Sequence, residues 1–469
     1  MKSYLKNSRR TFLTASGIGL GGIALAELLC EEARGADDVA SARQPHFTPS
    51  AKHVIYLHMV GAPSQLDLFD DKPVLRQYHN QPCPPEVTKD RDFAFIGKTS
   101  TLAGSPWEFR QHGQCGQSLS ELLPHLSTVA DELAVVRSIH NDEINHAPAQ
   151  MFLHSGFGRG GRPSLGSWVT YGLGSENKDL PGYVVLVSGP KGGAGTSLWS
   201  TGFLPSVYQG IQFRSEGDPV LFLSSPDGHT REDRRRVLDA LSKLNHERLQ
   251  ATGDQEIETR ISQYEMSYRM QASVPKLMDI GQESKHTLEE YGAVPGKASF
   301  ANSCLLARRL VERGVRLVEL YDADWDHHNN LEKRLTSKCM ETDQPIAALI
   351  RDLKRRGLLN DTLVVFGSEF GRTPLNQGAS QGKGLSGRDH HKDAYTMWLA
   401  GGGVKGGVSF GRTDDFGMDI VENPVHVHDL NATILHLLGL NHERLTYKYQ
   451  GREFRLTDVH GRVVHEILS

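Results

Sequence analysis

The 469-residue chain carries 52 Lys and Arg against 56 Asp and Glu, a formal net charge of −4, with 38% hydrophobic and 23% charged residues. That apolar content can build a core, which excludes collagen-like, coiled-coil and disordered classes. The slight acidic excess argues against a nucleic-acid partner, whose capture rests on surplus Lys and Arg.

In chain order, the first signal is Ser8-Arg9-Arg10-Thr11-Phe12-Leu13, a twin-arginine pair in a basic stretch. A Gly-rich, modestly apolar run follows from Thr11 to Ala26, and then small residues at Ala33-Arg34-Gly35. Basic, apolar and small in that order is the layout of a secretory leader over 1–36, and the arginine pair points to twin-arginine export. The expected location is therefore periplasmic or extracellular. Past the leader no stretch approaches the ~20 apolar residues of a membrane span, so no stable membrane anchor is expected. Cys30 goes with the leader; Cys83, Cys115, Cys304 and Cys339 are widely spaced and leave room for one or two disulfides.

Short apolar runs bounded by Gly, Pro or Asp predict strands buried on both faces at His53–Val60, Leu133–Ile139, Tyr183–Val187, Val315–Tyr321, Thr362–Gly367 and Tyr395–Ala400. Helical patterns lie between them, at Leu119–Ala130, Leu165–Gly172, Ala301–Arg313, Asp343–Arg356 and Asp429–Leu438. Strands alternating with helices predict one α/β domain over 37–469, with a central, mostly parallel sheet and helices on both faces. The charged segment 227–292 lacks strand signals and reads as a helical insertion, forming a lid or a side layer. The connections Pro73–Gln117 and Ser188–Pro226 are long and irregular, a length more often functional than idle.

Ligands in such a sheet bind at the carboxyl ends of strands, and there the sequence is dense in chemistry. His146 follows one strand where a helix begins, in His140-Asn141-Asp142-Glu143-Ile144-Asn145-His146. A helix N-terminus favours developing negative charge. Another strand is followed by Asp322-Ala323-Asp324-Trp325-Asp326-His327-His328, three acids and two imidazoles in seven residues. Such a mixture suits Zn, Mn, Fe or Mg better than a thiolate-loving metal. A further strand ends in Ser368-Glu369-Phe370-Gly371-Arg372, which could otherwise be a local Glu369–Arg372 surface pair of little worth. Gly387-Arg388-Asp389-His390-His391 adds a carboxylate, two imidazoles and an arginine able to clamp an oxyanion bidentately. The GxGxxG at Gly156–Gly161 follows a helical pattern rather than a strand and so fails as a dinucleotide motif; HExxH and Walker A sequences do not occur.

The order of these pieces resembles the sulfatase and alkaline phosphatase superfamily. The stretch 359–371 is similar to the sulfatase strand ending in a metal-binding Ser-Asp-Asn-Gly. His428-Asp429-Leu430-Asn431-Ala432-Thr433 resembles its late helix motif, and His146-Ala147-Pro148-Ala149-Gln150 keeps the spacing of its Cys-x-Pro-x-Arg signature. A closer resemblance is to a bacterial family named domain of unknown function 1501. It is carried by Pro63-Ser64-Gln65-Leu66-Asp67, Arg162-Pro163-Ser164-Leu165-Gly166, Trp325-Asp326-His327-His328, Glu369-Phe370-Gly371-Arg372-Thr373-Pro374 and Gly387-Arg388-Asp389-His390.

The departures matter as much. His146 stands where a sulfatase needs the cysteine that becomes formylglycine, Gln150 stands at the arginine position, and the first strand ends Met59-Val60-Gly61-Ala62 without the usual aspartates. A formylglycine mechanism is therefore not expected. The resemblance implies a metal-dependent hydrolase of phosphate or sulfate esters, with a small-molecule or polysaccharide ester as substrate. Asp326, His328, Glu369, Asp389 and His390 would hold one or two divalent ions (Zn, Mn, Fe, Ca or Mg). His146 would be acid/base or nucleophile, and Arg372 and Arg388 would neutralise oxyanion charge. The alternative is a non-catalytic relative that binds a sulfated or anionic glycan in the same pocket.

Overall fold

The computed structural model describes residues 42–89, 93–97, 100–189, 193–214, 219–220, 228–377 and 387–469. The leader read at 1–36 lies outside them. Its first half contains β1 (His53–Met59), the hairpin β2–β3 (Phe109–His112, Gln117–Ser120), β4 (Leu133–His140), β5 (Tyr183–Ser188) and β6 (Ile211–Phe213). Then come β7 (Leu317–Asp322), β8 (Thr362–Gly367), the pair β9–β10 (Gly371–Asn376, Arg388–His391) and β11 (Tyr395–Ala400). Last are β12 (Val408–Phe410), the pair β13–β14 (Arg412–Thr413, Ile420–Glu422) and β15 (Val425–His426). All six strands expected from the apolar runs are present, two of them with unchanged ends.

The main sheet has nine strands in the order β12-β4-β11-β8-β1-β7-β5-β6, with β15 also on β4. Neighbours pair in parallel except at β11, which runs antiparallel to both β4 and β8. The mostly parallel sheet holds. Alternation along β1 sends Ile55, Leu57 and Met59 into one apolar layer and Val54, Tyr56 and Val60 into the other. The first layer is closed by α6 (Phe300–Glu312) and α7 (Leu331–Arg355); the second by α1 (His146–Ser155), α2 (Leu165–Leu173) and α8 (Val427–Leu437). Helices thus cover both faces, each fully buried Leu, Ile or Val adding roughly 1.5–3 kcal/mol.

Between β6 and β7 lie α3 (Arg231–Thr252), α4 (Gln255–Met278) and α5 (Lys285–Tyr291). Met270, Val274 and Leu277 of α4 join the first apolar layer, so this helical segment packs as a side layer. Two helical expectations are corrected. Leu119–Ala130 is no α-helix: Pro124 cannot continue one, and the stretch divides into the end of β3 and a 3-10 turn at Leu126–Glu132. The helix expected at Asp343–Arg356 begins at Leu331 and runs through Pro345, its buried face supplied by Leu335, Cys339, Ile346, Leu349 and Leu353. Cys83, Cys115, Cys304 and Cys339 are all free thiols, which corrects the allowance for disulfides. Among the described residues no helix is long and apolar enough to cross a membrane.

Candidate metal centre

Parallel strands deliver their carboxyl ends to one edge, and the reversal of β11 lets the preceding β10 arrive at that edge too. There His146 opens α1 just beyond β4, Asp326 and His328 follow β7, Glu369 follows β8, and His390 lies on β10. His146, Asp326, His328 and His390 offer ligand atoms that all lie within 4.8 Å of one another. Of the residues read from sequence, these four are brought together. His390 is buried, while the side chains of Asp326, His146 and His328 keep 40%, 24% and 22% of their surface, so solvent reaches the cluster from one side.

The outer nitrogens of the three imidazoles fix their orientation. Nδ1 of His390 meets the carbonyl of Ile144 (2.9 Å), Nδ1 of His328 meets Oε1 of Gln377 (2.5 Å), and Nδ1 of His146 meets Oε1 of Glu369 (2.7 Å). A carbonyl oxygen or a carboxylate can only accept, so each Nδ1 carries the proton and each Nε2 presents a lone pair inward. Those lone pairs converge. Nε2 of His328 and of His390 stand 3.0 Å apart, and Oδ1 of Asp326 lies 2.9, 3.4 and 3.7 Å from the Nε2 atoms of His328, His146 and His390. Nε2 of His146 is buried without a hydrogen-bond partner. Facing lone pairs at 3.0 Å repel unless a cation stands among them, and three imidazoles with a carboxylate are a donor set for a divalent transition metal. The residues fit the ion.

Without an ion, protons take that place. Burial works against a charge on His146, but the nearby carboxylates of Asp326 and Glu369 overcome it and raise its pKa to about 9. Burial also opposes ionisation of Asp326, yet the three imidazoles and Arg372 hold its carboxyl far below the usual range. His390 is pushed down to about 4, first by burial and then by Arg372 and the neighbouring imidazoles, against the pull of Asp326.

The other expected residues are occupied elsewhere. Glu369 is fully buried one step behind His146, where its carboxylate also accepts from the Gly61 amide (3.0 Å), Gln150 (2.9 Å) and Ser368 (2.6 Å). Arg372 is buried too: Nε donates to the Ala62 carbonyl (2.9 Å), Nη1 to the Arg388 carbonyl (3.1 Å), and Nη2 to Gly61 and to Asp326 (2.5 Å). It braces Asp326, with four of its five N–H groups taken by acceptors of the protein itself. Arg388 forms a two-pronged pair with buried Asp67 (2.8 and 3.0 Å), which corrects its role as an oxyanion clamp. Asp389 accepts from the amides of Phe95 (2.8 Å), Ile96 (3.2 Å) and His390 (2.8 Å) and turns away from the cluster, which corrects its role as a ligand. The ladder to β9 shifts register between Arg388 and His390, and at that irregularity the three amides hold Asp389 away while His390 faces the site. Gln65 hydrogen-bonds the backbone of Arg372 at both ends of its amide.

Sequence reasoning passed over His58, buried against Glu369, and over His154 and Glu319, buried in line behind it. The signal was there: His58 and Glu319 are polar residues inside runs otherwise buried on both faces.

The profile of a family described as "Protein of unknown function (DUF1501)" matches residues 51–468. The chain belongs to that family. No curated protein sequence matches this DUF1501 member. Solved structures similar to it include the lipoteichoic acid synthase LtaP from Listeria monocytogenes, at 10% identity over 90% of this chain and 80% of that one, with a TM-score of 0.35. The phosphonate monoester hydrolase SpPMH from Silicibacter pomeroyi matches at 12% identity over 89% and 76%, TM-score 0.38. The alkaline phosphatase of the Antarctic bacterium TAB5 matches at 10% identity over 85% and 100%, TM-score 0.34.

Proposed function

We propose that this protein is an extracytoplasmic, metal-dependent hydrolase of phosphate or sulfate esters that works without formylglycine. The observation that carries the reading is the convergence of three inward Nε2 lone pairs on Asp326, each imidazole held by an acceptor on its outer nitrogen. His146, Asp326, His328 and His390 are the ligands in this reading, which moves His146 from acid/base or nucleophile to the metal. Three imidazoles and one carboxylate suit Zn, Mn or Fe better than Ca or Mg. When bound, such an ion supplies Lewis acidity toward an ester oxygen and lowers the pKa of water.

The chain's own residues set the geometry. Glu369 orients His146, the Ile144 carbonyl orients His390, and Gln377 orients His328; Arg372 fixes Asp326 and adds positive charge behind it. The partly exposed Asp326 marks the side from which an ester would approach. The motif order shared with sulfatases and alkaline phosphatases supports the ester class, and the twin-arginine leader supports export.

The test is elemental analysis of the purified chain after reconstitution, beside Asp326→Ala and His390→Ala, followed by turnover of aryl phosphate and aryl sulfate. One ion per chain, lost in both variants, with saturable metal-dependent hydrolysis is the expected result. A wild-type chain that holds no ion overturns the reading. Metal retained with no turnover of either ester, and tight binding of an anionic glycan, would favour the binding relative.

A further inference from the structure

The connection Pro73–Gln117, long and irregular in sequence, brings residues 93–97 against the metal centre. Phe93 and Ile96 pack on a small apolar cluster that includes Leu66, Leu75, Leu102, Leu375 and Met418. Phe95, between them, turns to the imidazoles. Its ring centroid lies 5.0 Å from that of His328 and 5.3 Å from that of His390, nearly perpendicular to both. The residue keeps 56% of its surface. Phe370, 1% exposed, meets His390 and His146 at 4.6 and 4.9 Å from within the core, so His390 touches one buried ring and one exposed ring.

Contacts on two sides hold Phe95 in place. Its amide and that of Ile96 donate to the buried carboxylate of Asp389 (2.8 and 3.2 Å), the residue before His390. Apolar anchoring of Phe93 and Ile96 fixes the same backbone from the other side. Single exposed apolar side chains are ordinary on a protein surface. A phenyl ring fixed against two candidate ligands, with more than half of its surface open, is not. Phe has neither donor nor acceptor, so what it offers is apolar area and the electrostatics of its ring. The cluster beside it offers the opposite, a place for an anion. Sites that join an apolar wall to a few convergent polar groups select ligands with both characters.

We propose that Phe95 is a specificity-determining residue, whose exposed ring receives an aryl group esterified to the phosphate or sulfate. The inference rests on the ester-hydrolase reading for the anion, and within it names aryl esters as the substrate class. A ring in contact with His328 and His390 lies within one substituent's length of an oxyanion held by the same two ligands. An aryl group meets a phenyl ring through offset or edge-to-face contact and asks for no hydrogen bond. A sugar ring in that place would need partners for its hydroxyls, which Phe95 cannot supply. Small alkyl esters would reach the cluster and miss the ring.

The test is calorimetric binding of two anion pairs to the zinc-reconstituted full chain: phenylphosphonate with methylphosphonate, and benzenesulfonate with methanesulfonate. Each pair shares its anion and differs only in the ring. The expected result is that the phenyl member of at least one pair binds the wild type roughly three- to tenfold tighter than the methyl member. Phe95→Ala should bring that ratio close to one, with zinc content and the affinity of the methyl member unchanged. Because the side chain is mostly exposed, its truncation removes little from the core. Phe95→Tyr keeps a ring and should keep the preference. Equal binding of both members by the wild type, or a preference that survives Phe95→Ala, overturns the proposal and leaves the ester reading standing. A chain that takes up no zinc, or a zinc-loaded chain that binds none of the four anions, sinks the ester reading itself and the proposal with it.

Discussion

Arg388→Met separates a structural arginine from a substrate-binding one. Arg388 and Asp67 are each at most 1% exposed, and the guanidinium grips both carboxylate oxygens at 2.8 and 3.0 Å while also reaching the Thr373 carbonyl at 3.3 Å. Removing the cation leaves the Asp67 carboxylate buried with the Ser64 hydroxyl at 2.5 Å as its remaining side-chain donor. Breaking one half of a buried pair costs about 3–5 kcal/mol, whereas replacing both halves with apolar groups of similar volume is often close to neutral. Arg388→Met alone should therefore lower stability by about 3–5 kcal/mol. Adding Asp67→Leu should bring the loss back to about 1–2 kcal/mol, the remainder reflecting the hydrogen bonds to Thr373 and Ser64. Urea unfolding of the two single variants and the double variant measures the coupling. If Arg388→Met leaves stability unchanged while ester turnover or metal-dependent substrate binding disappears, the assignment of Arg388 to Asp67 is wrong and the side chain faces the substrate.

Two further outcomes follow from geometry elsewhere. A Cβ on Gly61 would lie 2.6 Å from the Asp326 amide, and the residue sits at φ +107°, so Gly61→Ala should cost roughly 2–4 kcal/mol and displace Asp326 enough to lower metal content. Gly160→Ala, where nothing lies within 4 Å, is the control in the same unfolding and elemental assays. His428 is held neutral, its pKa pushed to about 4 by burial and then by His426 and His460. Unfolded, it takes a proton near pH 6.5, so stability falls as pH drops from about 6.5 to about 4, by at most about 3 kcal/mol from this group. His428→Gln should flatten that part of the urea-midpoint profile, and an unaltered slope would place the acid sensitivity elsewhere.

The sheet was readable because its central strands are buried on both faces, which leaves unbroken apolar runs such as Thr362–Gly367 with the same ends in sequence and structure. Pro124 and Pro345 mark where reading failed, in opposite senses: one ends a helical pattern, the other is carried inside a long helix by the packing of its buried face. At the site, i and i+2 spacing along extended chain brought Asp326 and His328 to one side and left His327 to bond the Asp324 carbonyl. An irregularity in β10 and the amides of Phe95 and Ile96 separate Asp389 from His390, and treating Gly387–His391 as one cluster is what misassigned Asp389. Glu369 was found but placed one step too close. Its partners come from Gly61, His146 and Gln150, and no linear motif records a contact across that much chain.

The four converging ligands come from three separate stretches spread between residue 146 and residue 390. Apart from Asp326 and His328, which are neighbours in sequence, they do not meet until β4, β7 and β11 have found their places in the sheet, so an unfolded chain has only part of the set to offer an ion. Binding confined to the folded state stabilises it by mass action, about 2.7 kcal/mol when the free ion stands at a hundred times its dissociation constant. Occupancy and folding are then one equilibrium seen from two ends. Whichever ion is abundant while the chain completes its sheet gains the first claim on the site.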